Sequence, residues 1–119
     1  MKLIAFFAFL FISIGASAQV DTITTAQAEK FIGKLVVVRG KLNGIKDFTN
    51  RDGDKMYLLD VDGTYPDLPM SIRIFKEAYP AFKLTKDDFG KTVYFKGTLE
   101  EYREKPSLSI GEPGNVWIK

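Results

Sequence analysis

The 119-residue chain sets 17 Lys and Arg against 15 Asp and Glu, and it contains neither Cys nor His. The missing thiols exclude disulfides, thiolate metal sites and cysteine nucleophiles, and the missing imidazole excludes Ser-His-Asp triads and ordinary zinc sites. A formal net charge of +2 is no general lure for nucleic acid, so any cationic surface must be local.

The first stretch, "MKLIAFFAFLFISIGASAQV", has Lys2, an unbroken apolar run over 3–12 and small residues ending Ala16-Ser17-Ala18. That is the pattern of a secretory signal peptide over 1–18, cut before Gln19. Its apolar run is shorter than the roughly 20 residues a membrane span needs. A periplasmic or secreted protein is therefore expected, with no stable membrane insertion after cleavage. Residues 19–119 would then form a single monomeric domain with 16 basic and 15 acidic side chains, Lys2 having gone with the leader.

In "DTITTAQAEKFIGK", Thr24 stands three before Gln27, which predicts a capped short helix with Ile23, Ala28, Phe31 and Ile32 on its buried stripe and Gly33 as its stop. "GKLVVVRGKL" follows at 33–42, and "GKTVYFKGTL" repeats it at 90–99, 57 positions later (90 − 33). The second copy has its own prelude: Thr85 three before Asp88, then Phe89, expected to be buried, and Gly90. Both copies alternate with period two. Val36, Val38, Gly40 and Leu42 face one way in the first, and Val93, Phe95, Gly97 and Leu99 in the second. A glycine on the inward side of a strand marks a bulge or a sharp bend, which a small closed barrel requires.

Between the copies, "TNRDGD" predicts a hairpin turn into a strand over Lys55–Val61. "MSIRIF" alternates Met70, Ile72 and Ile74 against Ser71, Arg73 and Phe75. "DGTYPDLP" is too rich in proline and glycine for regular structure, and Pro80 makes "KEAYPAFKL" an irregular link. "SLSI" at 107–110 is the fifth strand, and Val116, Trp117 and Ile118 pack at the barrel end or extend it. Strands without long intervening helices argue against a parallel α/β sheet.

These segments resemble the OB-fold superfamily, and more narrowly its small domains of the tRNA-anticodon type. The resemblance runs from Ile32 to about Ile110 and rests on "GKLVVVRGKL", "YLLDVDG", "SIRIF", "GKTVYFKGTLEEY" and "KPSLSI". It implies an all-β chain with one or two short helices, folded as a five-stranded OB-type Greek-key barrel in which strands 1 and 4 are neighbours. It also implies a ligand face on strands 2 and 3, flanked by loops over 47–54 and 100–106.

Tyr57, Arg73, Lys55 and Arg51 are the first candidates on that face, with Arg39, Lys41, Tyr94 and Tyr102 adding cations and rings. Such a mixture suits single-stranded nucleic acid, where a cationic track meets stacking platforms. Asp47, Asp52, Asp54, Asp60 and Asp62 crowd the same segments and would repel phosphate. The leading expectation is an exported, non-catalytic binding module for a polar or anionic polymer or a protein partner. An oligonucleotide or a glycan is the alternative ligand. Tyr65, Pro66, Leu68 and Pro69, with Tyr79, Pro80 and Phe82, offer apolar loops for a sugar or a peptide. A metal-dependent nuclease is the further alternative, since "DGD" and "LLDVDG" superficially resemble that branch of OB-like barrels. However, Tyr57 stands where that pattern puts a catalytic Arg, and no Glu follows as a general base. No catalytic residue, metal or cofactor is expected.

Overall fold

The computed structural model describes residues 20–78 and 84–118. The expected signal peptide over 1–18 and the segment with Tyr79, Pro80 and Phe82 lie outside the described residues. Eight strands run in chain order: β1 (Thr22–Thr24), β2 (Leu35–Thr49), β3 (Lys55–Val61), β4 (Ser71–Phe75), β5 (Thr92–Thr98), β6 (Glu100–Tyr102), β7 (Lys105–Ile110) and β8 (Val116–Ile118). They hydrogen-bond in the order β6-β7-β4-β3-β2-β5-β8, with β1 beside β2. The β4–β7 and β1–β2 pairs are parallel and the rest antiparallel.

β2, β3, β4, β5 and β7 are the five staves of an OB-type Greek-key barrel. The first stave lies between the second and fourth, and the third pairs parallel to the fifth. β1, β6 and β8 are short additions, of which β8 extends the barrel by pairing with β5. The barrel encloses Val36, Val38, Leu42, Leu59, Ile72, Ile74, Phe95, Leu108 and Ile110, all essentially buried.

The repeated decapeptide now has a geometric reason. β2 and β5 pair antiparallel with Val38 opposite Phe95. These two residues occupy the same position in the two copies, so a pseudo-two-fold axis passes between them. Each copy's turn bonds the far end of the other copy. Gly33 N donates to Leu99 O at 2.7 Å and Gly90 N donates to Leu42 O at 2.8 Å, while Leu99 N and Leu42 N return bonds to Lys34 O and Lys91 O at 3.0 Å. Gly33 and Gly90 both hold φ of +92°, a left-handed backbone that favours glycine.

Gly40 and Gly97 are not bulges, because the β2–β5 register runs through both without a shift. The irregularity in β2 falls instead between Leu42 and Gly44 on the β3 side. The two glycines leave room for neighbours. A Cβ at Gly97 would lie 2.8 Å from Leu108 Cδ1, where β5 closes against β7, and one at Gly40 would collide with Val61.

Several local expectations change. The capped segment is a 3₁₀ helix, Thr25–Phe31, in which Gln27 Oε1 accepts from Thr24 N at 2.9 Å. Ile23 belongs to β1 rather than to the helix, and Ile32 is exposed. A three-residue strand is too short to show a period, which is why β1 escapes a sequence pattern. β2 continues to Thr49, so the turn to β3 spans only residues 50–54. Thr85 and Asp88 cap the second turn reciprocally: Asp88 Oδ2 accepts from Thr85 N at 2.9 Å, and Thr85 Oγ1 from Asp87 N at 3.2 Å. The Thr85 N–H holds the Asp88 carboxyl below the usual carboxylate range; partial burial opposes this and Lys91 assists it. Phe89, expected inside, is 41 % exposed.

Candidate functional site

β3 decides where the site lies. Tyr57, Leu59 and Val61 point inward, so Met56 and Leu58 point outward by the two-residue period. The outer surface therefore carries apolar side chains of its own. Phe48 stands opposite Met56, and Lys46 opposite Leu58, on β2. Arg73 of β4 stands opposite Leu58 on the other side. The β6–β7 hairpin brings Tyr102, Arg103 and Lys105 alongside, and Tyr65, Pro66 and Leu68 close the other rim. Together they line an open groove of about 660 Å³.

The hairpin that shapes this groove is strained at its tip. Tyr102 pairs with Lys105 across a two-residue turn, and Arg103 and Glu104 hold φ of +51° and +66°. A two-residue turn of this hand normally takes Asn-Gly, and a non-glycine residue there costs on the order of 1–3 kcal/mol. Glu104→Gly is accordingly expected to stabilise the fold by about 1 kcal/mol, read as a rise of about 4–8 °C in the melting midpoint. An unchanged or lower midpoint would show that the turn carries no such strain.

Charge is segregated across the groove. Lys46, Arg73, Arg103 and Lys105 line it, and among the described residues no carboxylate does. Arg73 and Arg103 place their guanidinium carbons 5.3 and 5.2 Å from the centre of the Tyr102 ring, within cation–π range. Arg73 Nη2 donates to Ser107 Oγ at 3.4 Å, while its Nε is buried with no hydrogen-bond partner. An unpaired buried donor costs about 1–3 kcal/mol. Lys105 Nζ donates to Leu68 O at 3.0 Å and ties the hairpin to the opposite rim.

Of the five aspartates near this face, Asp62, Asp60 and Asp47 have partners, while Asp52 and Asp54 lie exposed in the β2–β3 turn. Asp62 accepts from Thr25 Oγ1 at 2.6 Å and from Lys41 N at 2.7 Å. Asp60 accepts from Tyr65 N at 3.3 Å, and Asp47 pairs with Lys55 at 3.7 Å. Among the described residues, no three carboxylates are grouped to hold a metal ion.

The structure thus divides the sequence candidates. Arg73 and Tyr102 meet in the groove. Tyr57 does not share their face; it packs against the core, because its parity is that of Leu59 and Val61. Lys55 lies beside a smaller hollow of about 220 Å³ with Asp54, Lys76 and Glu77, where charges of both signs mix. Arg51 is exposed in the β2–β3 turn. Arg39 and Lys41 sit on the outward side of β2 where it pairs with β5, away from the groove. Phe48, Leu58, Arg103 and Lys105 were not singled out, although the segments that carry them, 47–54, 55–61 and 100–106, are the expected face and its flanking loops. The one available signal was β3 itself, whose consecutive apolar residues exceed what a single buried face needs.

No family model matches the sequence, and no curated protein matches it. Solved structures do share the fold. A chain from the structure of yeast Stn1 and Ten1 superposes with a TM-score of 0.59 at 12% identity, over 85% of this chain and 63% of the yeast one. A candidate nucleic acid-binding lipoprotein from Klebsiella pneumoniae gives a TM-score of 0.56 at 17% identity, over 88% of this chain and 96% of that one. Likeness at such low identity is a likeness of fold alone: the chain is an OB-type barrel.

Proposed function

We propose that the β2–β3–β4 groove binds a single-stranded nucleic acid without catalysing its cleavage. The carrying observation is the company of four cations and several apolar or aromatic side chains, with no carboxylate among the described residues that line it. Nucleotides need both parts: cations along the phosphates, and rings or flat apolar surface beneath the bases. Arg73 adds a planar guanidinium held against the Tyr102 ring. The description of the Klebsiella neighbour as a candidate nucleic acid-binding protein supports this reading.

The test is anisotropy of a labelled oligo-thymidine of about fifteen nucleotides, titrated with the protein from low to physiological salt. If three or four phosphates are neutralised, log K should fall against log[salt] with a slope of about −2 to −3. Absence of binding, or binding indifferent to salt, would sink the proposal. Salt-indifferent capture of a peptide by the Tyr65–Pro66–Leu68 rim would favour a protein partner instead.

A further inference from the structure

The barrel carries a second surface that mixes rings and cations, on the outer face of the layer β1-β2-β5-β8. Thr24, Arg39, Tyr94 and Trp117 are register partners in turn, forming one row across all four strands. The Tyr94 and Trp117 rings lie parallel, 5.7 Å apart at an interplanar angle of 7°. Lys41 and Lys96 flank the row two residues along their strands from Arg39 and Tyr94. Over Thr22–Thr24, Leu35–Lys41, Thr92–Thr98 and Val116–Ile118, the outward positions hold three cations and, among the described residues, no carboxylate, with Val37 buried beside Lys96. β8 ends the sheet, so Trp117, stacked on Tyr94, stands at the open edge.

We propose that this face is a second contact surface for single-stranded nucleic acid, centred on Arg39 and Trp117. The proposal rests on the groove reading for its ligand class. Charge complementarity selects a polyanion, and a parallel ring pair at a sheet edge offers a stacking surface to a base, a contact any base can make. β2 belongs to both surfaces, its Leu35–Lys41 half here and its Lys46–Thr49 half in the groove, so a strand longer than the groove has a route to the second face.

Trp117 is the only tryptophan in the chain, and its emission reports on this face, since the groove contains none. An oligo-thymidine of about thirty nucleotides should quench that emission, whereas one of about eight, long enough for the groove alone, should not. Arg39→Glu with Lys96→Glu should abolish the quenching, leave the short oligonucleotide's affinity within about two-fold, and flatten the salt slope for the long one by about 1.4. If the double charge reversal unfolds the protein, Arg39→Gln with Lys96→Gln should give the same loss of quenching. Saturated anisotropy with unchanged emission would overturn this proposal and leave the groove standing. Undiminished quenching in both charge variants would overturn it too. Quenching that survives in an Arg73→Glu protein with a dead groove would support the second face independently of the first. Silence in both signals would remove both sites.

Discussion

Gly40→Val is expected to destabilise the barrel by about 3–5 kcal/mol, the largest effect of any single surface-neutral change considered. A side chain at this position collides with Val61 and sets its Cβ 2.8 Å from Asp62 Oδ2. Overpacking alone costs about 1–3 kcal/mol. Asp62 has little freedom to withdraw. Its two oxygens bind Thr25 Oγ1 and Lys41 N, and its backbone is left-handed at φ +59°. Losing a hydrogen bond to a charged group adds about 1.5–3 kcal/mol. A domain of this size has only about 5–15 kcal/mol in hand, so the urea midpoint should drop steeply with little change in slope. Gly97→Ala meets the side-chain ends of Leu108 and Ile110 rather than a hydrogen-bonded carboxylate and should cost less, and Gly114→Ala meets nothing within 4 Å. Equal midpoints for the Gly40 and Gly114 variants would contradict the close approach of β3 to β2.

Arg73→Glu should weaken single-strand binding by about 50- to 100-fold at low salt, from one lost charge-assisted contact and one new repulsion. The replacement removes the guanidinium beside Tyr102 and puts a carboxylate next to Lys46, Arg103 and Lys105. Arg73→Lys keeps the charge but loses the planar fork and the stacking, and should lie between the two at about five- to ten-fold. Stability should move much less. Arg73→Met retires the unpaired Nε but also removes the donor to Ser107 Oγ, so the two effects oppose each other and the melting midpoint should stay within a few degrees while binding falls. Affinity that ignores all three substitutions would mean that the ligand, if any, lies off the groove. A parallel collapse of fold and affinity would recast Arg73 as structural.

The strands that sequence reasoning recovers best are those with one wet face and one dry one. β5 alternates cleanly and β2 nearly so, with Val37 buried on the outward side as well, and the OB resemblance implied that the two are neighbouring staves. β4 was equally plain, because Ser71 and Arg73 contrast with Ile72 and Ile74. β3 was legible as a strand but not as to facing. "KMYLLDV" puts apolar groups on both sides, so Tyr57, the most ligand-like residue in it, was assigned outward when it belongs to the core. The confusion has a functional cause, since an apolar groove imitates an interior. Arg39 and Arg73 show a second blindness. Period two says that each points outward, yet outward directions on a strongly curled sheet diverge, and only that curl assigns them to different surfaces. Arg103 and Lys105 reach the groove through a left-handed turn that no glycine or asparagine announces.

The pseudo-symmetric pairing of the twin strands also governs when the molecule can assemble. Its central pair, Val38 and Phe95, is separated by 57 positions along the chain, so a large loop must close before any of that ladder forms. On a ribosome, Leu35–Lys41 waits for Thr92–Thr98 to be made, with an unpaired edge on view meanwhile. A long loop closure is thus built into the arrangement that joins the first and fourth staves.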